Sequence, residues 1–298
     1  MRRLLVVGAM TLALSGCRYW YKPVPVANAI GADTVTLSGQ LMHAYREPRF
    51  ELYGHDAQDV FDGYEQMNRA YRSFEEMFGI EAPHLAVLLA KDTSFDVDGA
   101  TRAAFATRGF TFVRFVRPKP GYVRYGTLSY GGELWPVAPT AARLMLARFA
   151  ELQLPGDTAQ PDTATLTRFP VWYRAAVMHI VGEDGAISDD LDYLRDERGS
   201  WLKLQDLFAL TRPPAGDSTL DPARRDETDN ASKLLGAQAG SVAEFLVRKE
   251  GVGVMRRLAQ GFIAGRSITD MLGELRVAAH GLGRMEDNWK VWVQTAQE

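Results

Sequence analysis

The chain of 298 residues contains a single cysteine, Cys17, which lies close to its amino terminus. The residues after Cys17 therefore form no disulfide, and they contain no thiolate from which a metal site could be built. Their stability has to come from the burial of apolar side chains, and the hydrophobic fraction of 46% is typical of a folded domain. The length predicts one large domain or two small ones.

The segment before Cys17 has the pattern of a secretory signal. Arg2 and Arg3 precede an apolar run, residues 4–14, that is too short to span a bilayer. The run ends in Leu-Ser-Gly-Cys, which resembles the lipobox of bacterial lipoproteins. The resemblance implies removal of residues 1–16 and acylation of Cys17 with fatty acids such as palmitate. The alternative is an ordinary signal peptide with a chance cysteine.

Several acyl chains on one cysteine would give a lasting membrane anchor. Arg18, not Asp, follows the cysteine, and by resemblance to the sorting rule of enteric bacteria this favours the outer membrane of the cell envelope. Residues 17–34, which include Pro23 and Pro25, are predicted to be a lipidated tether. The net charge of −3, from 34 basic and 37 acidic residues, gives no indication of nucleic-acid binding.

The patterns after the tether predict an α+β fold. Residues 35–135 are predicted to form a small sheet with one long helix, and residues 136–298 a helical half. Short apolar or alternating runs predict strands at 50–53, 84–90 and 110–116. Asp56 is predicted to cap the long helix, whose apolar residues recur every three or four positions as far as Gly79.

The helical half is predicted from longer apolar segments separated by Pro and Gly. Residues 141–154 are apolar almost all round, which indicates a buried helix. Further helices are expected at 170–181 and 231–250. The segment 211–229 contains three prolines and many charges, so a loop is predicted there.

Several local pieces in this order resemble the peptidase MA-like family of gluzincin-type zinc metallopeptidases. Phe50-Glu51-Leu52-Tyr53 resembles the family's opening strand, and Pro170-Val171-Trp172 resembles the start of its glutamate-bearing helix. Gly265-Arg266-Ser267 resembles a turn near the family's carboxyl terminus. The resemblance covers residues 48–297 and implies a zincin-like architecture.

The same resemblance implies that the zinc site is lost. In the family, two histidines one turn apart in H-E-x-x-H bind zinc, a third ligand is a glutamate on a later helix, and the Glu of the motif is the general base. The matching positions here are Arg148, Phe149, Leu152 and Ala175. A guanidinium stays protonated and has no lone pair for a metal. We therefore expect no cofactor and no bound metal.

Other candidate chemistries are weaker in the sequence. The five histidines include no pair at i, i+4 spacing, and scattered structural or surface roles fit them better than a ligand set. Residues 94–99 hint at a calcium loop, but its twelfth position is Phe105, where a bidentate Glu is required, so a turn is predicted.

These patterns predict a non-catalytic binding or assembly protein of the cell envelope, with an envelope protein, a peptide or a polysaccharide as the partner. The alternative is a hydrolase or metallopeptidase-related enzyme with a non-standard active site. Either role would centre on a cleft with five candidate residues: Arg148, Glu151, Trp172, Arg174 and His179. A purely structural subunit of an envelope complex is a third possibility.

Arg148 and Glu151 are three residues apart on a predicted helix and can meet on one face. If that face is buried, the arginine needs an acidic partner, because an isolated buried charge is costly. We therefore expect this pair, or a neighbouring acid, in place of the metal. The alternative is that both side chains face water at the helix edge.

Overall fold

The computed structural model describes residues 33–116, 137–152, 163–182, 187–212 and 222–296. The predicted signal, Cys17 and nearly all of the predicted tether lie outside these ranges. Asp33 and Thr34, the last two residues of that tether, belong to the first strand.

The amino-terminal part forms one sheet of five strands in the order β1-β2-β3-β4-β5. The first three strands pair antiparallel, whereas β3, β4 and β5 run parallel. The strands are β1 (Asp33–Leu37), β2 (Gln40–Arg46), β3 (Phe50–Gly54), β4 (Leu85–Ala90) and β5 (Thr111–Val116). The predicted strands at 50–53, 84–90 and 110–116 correspond to β3, β4 and β5.

A long helix, α1 (Ala57–Phe78), connects β3 to β4. It begins where the Asp56 carboxylate accepts a hydrogen bond from the backbone N–H of Gln58, as an N-cap residue does. It ends at Gly79, whose φ of 65° lies in the left-handed region that glycine adopts without steric cost. The predicted cap and stop of this helix are therefore confirmed.

The remaining helices follow the sheet, apart from α2, which lies between β4 and β5. They are α2 (Gly99–Thr107), α3 (Val137–Leu152), α4 (Val171–Gly182), α5 (Ile187–Asp196), α6 (Leu204–Ala209), α7 (Pro222–Glu250), α8 (Val254–Ile263), α9 (Ile268–Gly273) and α10 (Leu282–Thr295). A sheet with a long helix, followed by a helical half, confirms the predicted α+β class.

Buried apolar side chains cover both faces of the sheet. One face packs with α1 against the helical half, through residues such as Leu52 and Phe74. The other face packs against Phe105 of α2 in a smaller cluster. All residues of β3 and β4 are buried, which explains why the sequence of β4 is a continuous apolar run.

Three parts of the described structure differ from the sequence predictions. The segment 211–229 was predicted as a loop, but α7 begins at Pro222, because proline's fixed φ and missing N–H suit the first position of a helix. The β1–β2 hairpin was not predicted. Helix α2, which directly follows the predicted turn at 94–99, was not predicted either; the Asp98 carboxylate caps it by accepting a hydrogen bond from the Thr101 N–H.

None of the helices within the described ranges combines the length and the apolar character that a membrane span requires.

Candidate functional site

The predicted cleft residues lie on α3 and α4, which pack against each other. The side chain of Gln66 in α1 fixes the start of α3, because its Oε1 accepts hydrogen bonds from the backbone N–H groups of Val137 and Ala138 at 3.0 and 3.3 Å. These two donors have no partner within the helix itself. The sequence of α3 is apolar because the helix lies in the core, where Met145 and Leu146 are fully buried.

Arg148 and Glu151 form the predicted contact on α3. The Arg148 Nη1 donates a hydrogen bond to Glu151 Oε2 at 3.3 Å. The Glu151 side chain is only 4% exposed, whereas that of Arg148 is 29% exposed. One alternative was a buried pair and the other a pair that faces water. The structure lies between them, because the Glu151 carboxylate is buried and the Arg148 guanidinium that holds it still reaches water. Both residues make additional interactions beyond this contact.

Trp172 is part of the core and does not line a surface. Its side chain is fully buried at the start of α4, with its ring centroid 4.8 Å from that of Phe208 and 6.4 Å from that of Phe262. Aromatic contacts at these distances stabilise a packed cluster. The indole Nε1 has no hydrogen-bond acceptor among the described residues.

Arg174 lies two residues further along α4 and is partly buried. Its Nε is shielded from solvent and has no acceptor within the part of the chain that the structure describes. Burial, and to a smaller extent the charge of Arg143 on α3, lower the pKa of Arg174 below the usual value for arginine. Even so, a guanidinium remains charged in proteins.

His179 lies near the end of α4 and contacts a residue that the sequence did not single out. Its Nε2 is 2.6 Å from Oδ2 of Asp190 on α5. The imidazole is buried against α7, where a Cβ added at Gly236 or Gly240 would lie 3.1 or 2.7 Å from the ring. The two glycines, one turn apart, form a groove that accommodates the ring.

The five candidate residues do not form one site. Arg174 and His179 are five residues apart on α4, so their side chains point roughly 140° apart around the helix axis. Arg148 and Glu151 contact each other, His179 is bound to Asp190, and Trp172 is in the core. The sequence did not indicate Asp190, because it lies in a generally acidic segment whose residues looked equally exposed.

An ion pair between a buried carboxylate of the sheet and an exposed arginine was also not predicted. The Glu51 carboxylate on β3 accepts hydrogen bonds from both terminal nitrogens of Arg108, at 2.5 and 2.8 Å, and from the Tyr53 hydroxyl at 2.6 Å. Burial, followed by the hydrogen bond to Glu51, raises the pKa of Tyr53 well above its usual value. Both carboxylate oxygens are held by three hydrogen bonds, two of them charge-assisted, so this cluster stabilises the sheet.

The described residues contain no group of three or more His, Cys, Asp or Glu side chains placed to hold a metal ion.

A recess of about 270 Å³ lies between α5 and α10, lined by Arg195, Arg198, Trp201 and Gln294. The Arg195 guanidinium there donates to the backbone oxygens of Val293 and Ala296, at 2.9 and 2.6 Å, and so binds the free carbonyls at the end of α10.

Comparison with known proteins gives no relative for this chain. No family model, no curated protein and no solved structure matches it significantly. The resemblance to peptidase MA-like proteins therefore rests on the short sequence motifs alone.

Proposed function

We propose that the protein is an outer-membrane-anchored lipoprotein with a peptidase-like domain that binds or assembles a partner in the cell envelope without zinc catalysis. The observation that carries the proposal is the Arg148–Glu151 pair on α3. By the sequence resemblance, Arg148 occupies the position of the first zinc ligand. Glu151, a carboxylate close to it, is held by the guanidinium.

The chemistry of this pair argues against a zinc ion at the same place. Zinc binds deprotonated cysteine, neutral histidine or carboxylate, and it requires three or four of them. Arg148 supplies a positive charge that repels Zn²⁺, and Glu151 would have to give up its hydrogen bond to Arg148 to bind the ion. The two remaining ligand positions, Leu152 and Ala175, have no side-chain atom that coordinates a metal.

A second candidate function, a hydrolase with a non-standard active site, is favoured by one observation. His179 and Asp190 form a short contact of the kind that orients a histidine acting as a general base. However, the histidine is only 7% exposed and its ring packs against two glycines of α7. A substrate would have to displace this packing, so a role in joining α4, α5 and α7 fits the geometry better.

The anchor is tested by metabolic labelling with a fatty-acid analogue. We expect label on the parent protein and none on the Cys17→Ser variant, which also retains its signal segment. Equal labelling of both proteins would contradict the proposed anchor.

The binding role is tested by a photo-crosslinking amino acid placed at exposed positions of the anchored protein in cells. Arg143 is an exposed residue of α3, the helix that carries Arg148 and Glu151, and Asp287 on α10 is an exposed control. We expect discrete adducts with one envelope component from position 143 and none from position 287. The same adduct pattern at both positions, or none at either, would contradict a partner at this surface.

A further inference from the structure

The recess between α5 and α10 is not used by the proposed contact at α3. Its walls come from the last turns of the two helices and from the segment between α5 and α6: Arg195, Arg198, Trp201 and Gln294. With a volume of about 270 Å³, it is slightly smaller than the pockets of roughly 300–1,000 Å³ that hold drug-sized ligands. A ligand of one small ring therefore fits it best.

Two of the walls are held in place by the protein itself. The guanidinium of Arg195 donates to two backbone oxygens at the end of α10. The indole Nε1 of Trp201 donates to the backbone oxygen of Leu194 at 2.8 Å, and its ring centroid lies 5.1 Å from that of Trp289. Trp201 is nevertheless only partly buried. The recess therefore has a preformed aromatic wall, which a ligand does not have to order on binding.

The two other lining side chains are available for hydrogen bonds to a ligand. Arg198 and Gln294 are exposed, and neither side chain has a hydrogen-bond or ion-pair partner among the described residues. A guanidinium has five N–H donors, and an amide has two donors and an acceptor oxygen. Both groups are planar and forked, so each can pair with two neighbouring polar atoms of one ligand.

The charges around the recess favour a neutral ligand. Two helices end there, and the carboxyl end of a helix carries a partial negative charge. Asp196 and Glu197 add two carboxylates in the same segment as Arg198. These groups would repel an anion, whereas Arg195 and Arg198 would repel a cation.

We propose that the recess binds a neutral sugar ring. A pyranose has a face of C–H groups, which would pack against the flat indole of Trp201, and hydroxyl groups at its edge, which would pair with Arg198 and Gln294. Large apolar side chains are exposed next to two of these residues, since Leu202 follows Trp201 and Val291 lies three residues before Gln294 on α10. A sugar would use both the apolar wall and the free polar groups.

A peptide fits the recess less well. Extended peptides pair with backbone groups at a sheet edge, and helical peptides occupy a long apolar groove. The lining residues lie instead at the ends of two helices and in the segment after α5. The two backbone oxygens at the end of α10 already accept hydrogen bonds from Arg195.

The test is a titration of the full-length protein, followed by saturation-transfer NMR of the ligand, in a neutral detergent without a sugar headgroup. The probes are glucose, galactose, mannose and N-acetylglucosamine. We expect saturable binding of at least one of them, with a Kd on the order of 1 mM for a ligand of this size. Glucuronate should bind more weakly than glucose, because its carboxylate meets the negative helix ends.

Variants of the lining residues connect the binding to the recess. Trp201→Leu should lose the saturation of the sugar C–H protons. Arg198→Ala and Gln294→Ala should each raise Kd about three- to tenfold, as for the loss of one or two hydrogen bonds. Arg284→Ala and Asn288→Ala, at exposed positions of α10 that do not line the recess, are the matched controls and should bind within about twofold of the parent.

Three results would overturn the proposal: no saturable binding of the four sugars to the parent, unchanged binding in Arg198→Ala and Gln294→Ala, or tighter binding of glucuronate than of glucose. If Trp201→Leu does not fold, the two exposed variants decide the matter.

Methyl glycosides of the same sugars distinguish the source of the ligand. A sugar unit within a polysaccharide has a substituted anomeric oxygen, as a methyl glycoside does. Binding of the glycoside as tight as that of the free sugar would indicate a unit of an envelope polysaccharide, whereas loss of binding on methylation would indicate a free saccharide.

This proposal and the proposed partner contact at α3 can fail separately. The titration involves neither Arg143 nor the Arg148–Glu151 pair. Asp287, the crosslinking control, lies seven residues before Gln294, about 10 Å along α10. A single sugar in the recess therefore does not reach that control position.

Discussion

Replacement of Arg148 by methionine measures how much the pair on α3 contributes to stability. The substitution retains an unbranched apolar side chain and removes the hydrogen bond to Glu151, whose side chain is 4% exposed. Removing one partner of a buried pair typically costs 3–5 kcal/mol. Since both residues have further interactions, we expect about 3 kcal/mol, at the lower end of that range.

The converse substitution, Glu151→Gln, should cost less. It leaves the Arg148 guanidinium unpaired with Glu151, but the Arg148 side chain is 29% exposed and can reach water. The free energy of unfolding should therefore fall by about 1 kcal/mol, as for the loss of a partly solvated hydrogen bond. The double variant Arg148→Met/Glu151→Leu should recover part of the loss, because a well-packed apolar pair often replaces a buried ion pair without penalty.

The measurement is the free energy of unfolding from urea titrations of each variant. Arg284→Met, at an exposed arginine on α10, serves as the matched control and should stay within about 0.5 kcal/mol of the parent. The reasoning is refuted if Arg148→Met behaves like this control, because an exposed pair contributes no more than about 1 kcal/mol. It is also refuted if Glu151→Gln costs more than Arg148→Met.

Two further predictions concern α10 and α7. Burial alone would raise the pKa of Glu286, but hydrogen bonds from Lys290 and from a backbone N–H lower it overall. The contribution of Glu286 to stability should therefore be present above about pH 4.3 and be lost as the pH falls. The difference in unfolding free energy between the parent and Glu286→Gln should shrink from pH 7 to pH 3, and a constant difference would contradict the assignment. Gly240→Ala should destabilise by about 1–3 kcal/mol, because its Cβ would lie 2.7 Å from the His179 ring, whereas Gly283→Ala, with open space around it, should be neutral or stabilising in the same thermal unfolding assay.

Much of the fold could be predicted because its signals are local. Asp56 and Gly79 mark the ends of α1 through a side-chain cap and a left-handed φ, and both depend on residues within one turn. The continuous apolar run of β4 reflects burial on both faces of the sheet. Such features need no knowledge of distant contacts.

The errors arose where the sequence signal was ambiguous or long-range. Pro222 is compatible with a loop and with the first turn of a helix, and its charged neighbours favoured the wrong interpretation. The contact of Arg148 with Glu151 followed from their spacing on one helix. The partner of His179 did not, because Asp190 lies on another helix and is brought close only by tertiary packing.

The most direct test of the central claim is the zinc content of the protein purified without a histidine tag, measured together with peptide hydrolysis before and after incubation with zinc. The account predicts far less than one zinc ion per chain and no hydrolysis that a chelator abolishes, because Arg148 holds the Glu151 carboxylate in an ion pair. One zinc ion per chain, lost on chelation together with peptide cleavage, would contradict it.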